Sequence, residues 1–509
     1  MKIEKTKNAK RNIMVGLFNK LIVLFLPFLV RTAFIYSLGA EYLGLNSLFT
    51  AILNVLNMTE LGFSSAVVFS MYEPIATDDT STICALLNFY RKVYRIIGIV
   101  ILVAGAVLIP FLPYLIKGEC PAELNIYIIY IIYLSNTVVS YLLFAYKKSI
   151  LEAFQRNDIL FWIDTFTVGL TNLFQLILLF IWHDVRAYYL YVVTLLIFTV
   201  VNNFLNAVVV NRKYPQYKCS GKLSAENRSS IKKQVSGLMI NKICQMTRNS
   251  FDSIFVSAFL GLTMTTIYNN YYYVLNAVVG FSTIFTNAIT AGVGNSIVTE
   301  HKDKNYKDFY TFNFMYMWIS GWAAITMFCL YQNFMMLWVG KELTLSVAIS
   351  FLFSFYFYVL KIGDIRATYS SSAGLWWENR YRAIIEVIEN IVLNYFFVKL
   401  WGIHGIIIAT IIPILTINNT VGMWILNSRY FKKQHGTIEF FSRNSIYFAV
   451  TLFASMITWA VCYLTPSNIL GLFMKGLICI FVPNLLYFII YQKNKDYQNA
   501  KKWLLARIK

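Results

Sequence analysis

The chain has 509 residues, of which 58% are hydrophobic and only 13% are charged. Soluble globular proteins carry about a quarter charged residues, so this composition excludes a soluble domain and indicates a chain that spans a lipid bilayer. The formal net charge of +20 could suggest a nucleic-acid partner, but the basic residues lie between apolar segments, and we expect no nucleic-acid binding.

The first element follows the basic segment MKIEKTKNAKRN, which resembles the start of a secretory signal. No small-residue cleavage site follows its apolar run, so we predict a retained first span. A hydrocarbon core about 30 Å thick needs about 20 helical residues. On that measure the sequence predicts an all-α polytopic membrane protein with about fourteen transmembrane helices, over 13–37, 43–72, 92–116, 123–146, 159–182, 187–211, 234–260, 264–298, 309–339, 344–370, 382–400, 403–428, 446–464 and 469–491.

The connections between these helices carry an uneven charge distribution. If both termini are cytoplasmic, most of the 44 Lys and Arg residues fall on the cytoplasmic side. Such a bias is typical of membrane proteins oriented by the positive-inside rule, and it predicts two cytoplasmic termini. The loops on the other side hold only five basic residues, Lys117, Arg186, Lys341, Lys399 and Lys475.

Two segments of the chain repeat each other. Asn19-Lys20 precede Gly39 with the same spacing as Asn241-Lys242 precede Gly261, and a polar-striped helix follows each glycine. This predicts two pseudo-symmetric six-helix bundles, and transporters commonly place substrate between such halves. The predicted ranges are an N-terminal bundle at 1–211 (helices 1–6), a basic cytoplasmic linker at 212–233, a C-terminal bundle at 234–428 (helices 7–12), helices 13–14 at 429–491 and a basic cytoplasmic tail at 492–509.

Polar side chains recur at helical spacing on predicted helices 2, 7 and 8. Lipid-facing surfaces should be apolar, so these stripes indicate what lies inside a bundle. Hydrogen bonds between helices, worth about 0.6 kcal/mol each, are the simpler explanation. Because the stripes are long, we predict a hydrated cavity lined by Asn46, Asn54, Asn57, Asn269, Asn276 and Asn287.

Several basic residues lie within predicted spans. Lys20 and Arg31 are about three helical turns apart and share a face. A cation near the bilayer centre is costly unless it snorkels to the surface, pairs with an acid or meets water or an anion. Snorkelling could explain Arg31, and Asp252 at i+4 could neutralise Arg248. We favour cations that line a cavity and bind a phosphate or pyrophosphate, with Lys20, Arg31, Lys242 and Arg248 as candidates.

Other sites have little support in the sequence. The seven cysteines are scattered and form no CxxC pair, and no GxxxxGK[ST], HExxH or GxSxG motif occurs. We therefore predict no metal, no cofactor and no catalytic residue, and expect a protein that is not an enzyme. Transport would draw on an ion gradient or on consumption of product, and the candidates for ion coupling are Asp164, Glu60, Asp252, Glu386 and Glu389.

The stretch RTAFIYSLGAEYLGLNSLFTAILNVLNMTELGFSSAVVFSMYEPIA (31–76), followed by YRKVYR (90–95), resembles Wzx-type polysaccharide flippases. These belong to the multidrug/oligosaccharidyl-lipid/polysaccharide exporter superfamily. The resemblance implies translocation of undecaprenyl-pyrophosphate-linked oligosaccharide units across the bacterial cytoplasmic membrane by alternating access. It also implies a central cationic cavity, with Lys20, Arg31, Lys242 and Arg248 as matching positions.

The resemblance further implies which molecules meet the protein. They are the lipid-linked oligosaccharide, membrane lipid, and the polymerase and glycosyltransferases of the same polysaccharide pathway. Two alternatives remain, an ion-coupled multidrug or cation antiporter of the same superfamily and a membrane glycan polymerase or glycosyltransferase. Residues 13–37 contain no acidic residue, which disfavours export of cationic drugs.

Overall fold

A computed structural model describes residues 5–57, 63–117, 120–121, 123–223, 250–433 and 435–508. Within these ranges the regular secondary structure is entirely helical. Ten of the described helices are long and apolar enough to cross a membrane, judged by length and composition, and the number is eleven if one bent pair forms a single span. The prediction of an all-α polytopic membrane protein is confirmed.

The packing divides the chain into two compact units, residues 1–266 and 267–509. Residues 250–266 pack with the first unit, whereas the sequence assigned them to the second bundle. The predicted boundary within 212–233 lies partly outside the described residues and stays a prediction. The helices of the first unit are α1 (Lys5–Leu38), α2 (Ala40–Leu56), α3 (Phe63–Ala76), α4 (Thr80–Leu108), α5 (Ile126–Leu142), α6 (Lys148–Ala153), α7 (Asn157–Ile181), α8 (Val185–Lys213), α9 (Ser250–Leu260) and the first residues of α10 (Leu262–Thr299).

The second unit contains the rest of α10 and the helices that follow it. The span predicted at 344–370 is divided at Gly363, and the span predicted at 403–428 continues from an α-helix into two π-helical stretches, Ile414–Val421 and Asn427–Phe431. The α-helices of this unit are α11 (Lys302–Val339), α12 (Val347–Ile362), α13 (Asp364–Ser372), α14 (Arg380–Trp401), α15 (Ile403–Pro413), α16 (Gly422–Leu426), α17 (Gly436–Tyr463), α18 (Ile469–Tyr491) and α19 (Lys495–Ile508).

A bend interrupts the span predicted at 123–146. Helix α5 ends at Leu142, Phe144 adopts a left-handed conformation with φ of 57°, and the chain continues through a 3₁₀ turn into α6. The two helical parts meet at 45°. This bend turns α6 toward the interior of the first unit, where Lys148 and Glu152 line a cavity.

The repeat seen in the sequence has a structural counterpart at Gly39 and Gly261. Both glycines have φ of +95°, and each separates two helices, α1 from α2 and α9 from α10. Side-chain-bearing residues rarely adopt this conformation. The amide of Gly39 donates to the carbonyl of Ile35, and that of Gly261 donates to the carbonyls of Val256 and Ser257.

The two glycine junctions also contact each other in a reciprocal way. Thr266, five residues after Gly261, donates its hydroxyl to the carbonyl of Ala40, the first residue after Gly39. Gly44, five residues after Gly39, lies against the carbonyl of Leu262, the first residue after Gly261. A contact in which equivalent positions exchange places indicates a local two-fold relationship. The repeat therefore includes matched packing as well as matched sequence.

Candidate functional site

The first unit contains a partly open cavity of about 570 Å³. Its wall is formed by α1, α4, α5, the α5–α6 bend with α6, and the facing helices α7 and α8. Most of the lining is polar but uncharged. The polar and aromatic lining residues are Tyr90, Tyr94, Ser140, Tyr141, Thr167, Thr171, Asn172, Gln175, Tyr191, Thr199, Asn202 and Asn203.

A hydrogen-bond network fixes the wall of this cavity between α7 and α8. The Asn202 amide donates to Asp164 Oδ1 at 2.8 Å and to Thr167 Oγ1 at 2.8 Å. Asn206, one turn further along α8, donates to the Asn202 side chain at 3.1 Å. The sequence predicts Asp164 as a candidate for ion coupling, and the structure places it directly behind two cavity-lining residues.

Arg31 lies on α1 behind another part of the same wall. It is half-buried and interacts electrostatically with Tyr191, which lines the cavity. The predicted cavity residue Asn46 accepts a hydrogen bond from Tyr133 and also bonds Tyr191. Gln175 donates to the Tyr191 backbone carbonyl at 3.3 Å. The structure thus connects Arg31 and Asn46 with the cavity through one tyrosine.

Two charged side chains of the lining, Lys148 and Glu152, are absent from the residues that the sequence predicts for a cavity. They follow the apolar run of predicted helix 4, so the sequence places them in a cytoplasmic loop. The chain bends after Leu142, and Lys148 and Glu152 then line the cavity from successive turns of one face of α6. The sequence KKSILEA contains a signal for this, since lysine and glutamate four residues apart suit a short amphipathic helix.

The second unit contains a separate network of buried charged groups. Arg382 Nη1 lies 3.0 Å from Glu386 Oε2, and Asn418 donates to the same oxygen at 2.7 Å. Arg366 is buried and donates to Asn418 Oδ1 at 2.7 Å, while its guanidinium packs against Gly422. The π-helical stretch 414–421 carries Asn418 into this network. Glu386, a predicted coupling residue, therefore has a cationic partner one turn away.

Other predicted residues of the second unit lie outside this network. Lys361 pairs with Asp364 at 2.9 Å. Glu389 is half-buried and accepts a hydrogen bond from Thr416 at 3.2 Å. Asn269 on α10 is half-buried, whereas Asn276 and Asn287 are exposed.

The remaining predicted residues are distributed among different environments. Lys20 is exposed on α1, Asn54 and Asn57 are half-buried at α2, and Asp252 on α9 is 1% exposed. Glu60, Lys242 and Arg248 lie outside the described residues. A cavity between the two bundles, and the roles of these residues in it, stay predictions.

No family model and no curated protein matches the sequence. Solved structures match it in fold. The lipid II flippase MurJ in an inward closed conformation aligns with a TM-score of 0.61 over 95% of this chain and 99% of MurJ, at 15% identity. The inward-facing form of a MATE family multidrug resistance transporter of the MOP superfamily aligns with a TM-score of 0.65 over 84% of this chain and 99% of the transporter, at 13% identity.

The chain has the fold of MOP-superfamily transporters. A third structure, a mutant of the Vibrio cholerae MATE transporter VcmN, agrees, with a TM-score of 0.58 at 13% identity over 84% of this chain and 99% of VcmN. The MOP fold is that of the exporter superfamily to which the sequence resemblance pointed. Membership of that superfamily and the finer assignment to Wzx-type flippases stay predictions.

Proposed function

We propose that this protein is a transporter of the bacterial cytoplasmic membrane that flips undecaprenyl-pyrophosphate-linked oligosaccharide units by alternating access, with both termini in the cytoplasm. The observation that carries the proposal is the cavity of about 570 Å³, lined mostly by polar residues, in a chain whose fold matches MOP-superfamily transporters. Cavities of about 300–1,000 Å³ accommodate small organic ligands. The volume of this cavity falls within that range.

The chemistry of the lining suits a glycan. Side-chain amides such as those of Gln175 and Asn203 both donate and accept hydrogen bonds, and threonine hydroxyls do the same, as sugar hydroxyls require. Tyrosine rings present broad apolar faces together with a polar end. Lys148 and Glu152 give the described lining one positive and one negative group. The neutral, hydroxyl-rich sugar part of the ligand fits this balance.

The pyrophosphate needs cations, and two residues near the cavity are candidates to supply them. Lys148 lines the cavity, and Arg31 lies behind Tyr191 at its wall. Lys20, Lys242 and Arg248 remain the further candidates that the sequence offers. Charge-assisted hydrogen bonds from lysine and arginine are the strong contacts available to phosphate oxygens.

The structural neighbours favour a flippase over a drug exporter in one respect. The MurJ fold accounts for 95% of this chain, whereas the MATE folds account for 84%. The higher TM-score of one MATE structure, 0.65, keeps an ion-coupled multidrug antiporter as the second candidate. Asp164 is the acidic residue that would serve such coupling, because its partner Asn202 lines the cavity.

The test is binding and flipping by the purified, reconstituted protein. Undecaprenyl-pyrophosphate-linked N-acetylglucosamine is the probe for binding, and a fluorescent short-chain analogue reports its leaflet through a membrane-impermeant quencher. We expect protein-dependent flipping, and at least about a tenfold weaker affinity in Lys148→Gln, which loses a charge-assisted contact of about 1.5–3 kcal/mol. Arg31→Gln should weaken binding less, because Arg31 acts on the cavity from behind Tyr191.

Arg186→Gln is the matched control, because Arg186 is a cation whose side chain is 77% exposed beside Asp184. It should bind the probe as the wild type does. If the reconstituted wild-type protein transports ethidium but leaves the pyrophosphate lipid in its original leaflet, the antiporter is the correct function. If purified protein extends the glycan of the probe, the glycosyltransferase alternative is correct.

A further inference from the structure

Three buried cysteines converge in the second unit. Cys329 lies on α11, Cys462 near the end of α17 and Cys479 in the first half of α18, and their sulfur atoms all lie within 4.8 Å of one another. Their exposed fractions are 7%, 2% and 0%. The positions are 133 and 17 residues apart in sequence, so no motif signals the cluster.

The surrounding packing holds the three helices in register. Trp322 on α11 donates its indole N–H to the Cys479 carbonyl at 2.7 Å. Tyr487 on α18 donates to Thr451 Oγ1 on α17 at 2.9 Å. Gly321 allows this pair to lie against α11, because a Cβ there would come within 2.7 Å of Thr451 Oγ1. The three sulfur atoms are therefore placed by contacts that do not involve the thiols.

Three thiols at this separation form a metal-ligand set. Thiolates bind soft or borderline cations such as Zn²⁺ and Cu⁺, with metal–sulfur bonds of about 2.3 Å for zinc. Ligands that surround one such ion lie about 3.5–4 Å from each other in tetrahedral or trigonal geometry. The observed separations need only small side-chain adjustments to reach that spacing. Among the described residues, no His, Asp or Glu joins the cluster.

Electrostatics selects the charge of the ion. Three thiolates around a divalent cation carry one net negative charge, which is costly in an apolar interior unless a cation lies close by. Lys475 lies one turn before Cys479 on α18 and interacts electrostatically with Cys462. Its ammonium brings the site to neutrality with a divalent ion, whereas a monovalent ion would leave one negative charge.

We propose that Cys329, Cys462 and Cys479 form a three-thiolate site for a soft divalent cation of the zinc type, with Lys475 as the balancing charge and one coordination position left open. Binding replaces the thiol protons with the ion, so protons are released. Because the ligands come from three helices, the bound ion ties α17 and α18 to α11. The site is independent of the proposed transport function.

The experiment is a metal titration of the full-length protein, purified in detergent, fully reduced and stripped with a chelator. Cd²⁺ and Co²⁺ are the probes, since thiolate coordination gives each an ultraviolet charge-transfer band and Zn²⁺ can then displace Co²⁺. We expect one ion per chain. We also expect a higher melting temperature with Zn²⁺, because a ligand that binds the folded state stabilises it.

Single variants locate the site. Cys329→Ser, Cys462→Ser and Cys479→Ser should each weaken Cd²⁺ binding at least about a hundredfold, which corresponds to about 2.8 kcal/mol. Cys84→Ser is the matched control, because Cys84 is a buried cysteine of the first unit, and it should bind as the wild type does. Lys475→Gln should weaken binding less than loss of a sulfur ligand.

The wild-type titration decides the proposal even if a serine variant fails to fold. Absence of a charge-transfer band in reduced wild-type protein overturns the site. Uptake of the metal that is equal in Cys84→Ser and in a well-folded Cys329→Ser also overturns it, since the ion is then adventitious. A stoichiometric band lost only in the three cluster variants supports it.

Discussion

Gly39 and Gly261 lie 222 positions apart and adopt the same backbone conformation, with φ of +95° in each. Each ends one helix and begins the next without a longer loop. The residues that follow them contact one another reciprocally, Thr266 with Ala40 and Gly44 with Leu262. This relationship shows that the short sequence repeat corresponds to two helix junctions of the same conformation that pack against each other.

Replacement of either glycine by alanine should destabilise the protein, because a Cβ strains the backbone at this φ by about 1–3 kcal/mol. Gly261→Ala should be the more damaging, since its Cβ would lie 3.2 Å from the Lys117 carbonyl oxygen, whereas nothing lies within 4 Å at Gly39. The measurement is the melting temperature in detergent. Gly169→Ala is the control: nothing lies within 4 Å of that helical position, so its stability should be equal or higher. If Gly39→Ala were as stable as Gly169→Ala, the conclusion that the backbone at Gly39 is strained for alanine would be wrong.

Gly44→Ala should disturb the reciprocal contact more strongly than Gly39→Ala or Gly261→Ala. Its Cβ would overlap the Leu262 carbonyl oxygen, and backbone on both sides leaves no flexible group to move aside. Thr266→Val removes only the hydrogen bond to Ala40 and should cost about 1 kcal/mol. Thermal unfolding and gel filtration of the two variants test whether Gly44→Ala is the more destabilising. Equal effects would show that the close approach of Gly44 to Leu262 is not the main requirement for this contact.

Glu386→Gln should destabilise the second unit by about 3–5 kcal/mol, because it leaves the Arg382 guanidinium without its carboxylate. The two side chains are 11% and 8% exposed, so solvent replaces little of the lost attraction. The double variant Arg382→Met/Glu386→Met should recover part of the loss, since it removes both charges of the pair, although Asn418 still loses its acceptor. The readout is the melting temperature of the three proteins, and a double variant less stable than Glu386→Gln would show that this pair contributes more than mutual neutralisation.

Asp164→Asn tests ion coupling separately from substrate binding. The amide introduced by this substitution keeps a side-chain oxygen that can accept from Asn202, so the wall of the cavity should persist. If Asp164 carries the coupled proton, transport driven by an imposed pH gradient should fall at least about tenfold while probe affinity stays unchanged. Thr165→Val, one residue along α7 and bonded to Asn19 instead, is the control. Unchanged gradient-driven transport in Asp164→Asn would remove this residue from the coupling mechanism.

Asp79 should give stability a specific pH dependence at the start of α4. Hydrogen bonds from Thr82 and Ser81 lower the pKa of its carboxyl from 3.8 to about 2. A depressed folded-state pKa means that the contribution is complete above pH 3.8 and is lost as pH falls through about 2. The difference in melting temperature between wild type and Asp79→Asn should therefore be constant at neutral pH and shrink between about pH 4 and pH 2. If the difference stayed constant between about pH 4 and pH 2, the ionised carboxylate of Asp79 would not be the cause of the stabilisation.

The sequence determined the class of fold and the approximate positions of many of the described long helices. Long apolar segments have one stable solution in a bilayer, and the helix period reveals which positions are polar. The glycine junctions could also be found, since only glycine fits that backbone conformation and its spacing repeats.

Only the tertiary structure decided what these helices bring together. Because the chain bends after Leu142, Lys148 and Glu152 line a cavity, although the sequence predicts that they lie in a loop. The π-helical stretch 414–421 brings Asn418 within hydrogen-bonding distance of Glu386. The sulfur atoms of Cys329, Cys462 and Cys479 lie close together because α11, α17 and α18 pack against one another there. The spacing of the three cysteines in the sequence does not indicate this cluster. Helical periodicity fixes which side chains share a face, but the crossing and bending of helices depend on side-chain packing between distant segments, which no local pattern encodes.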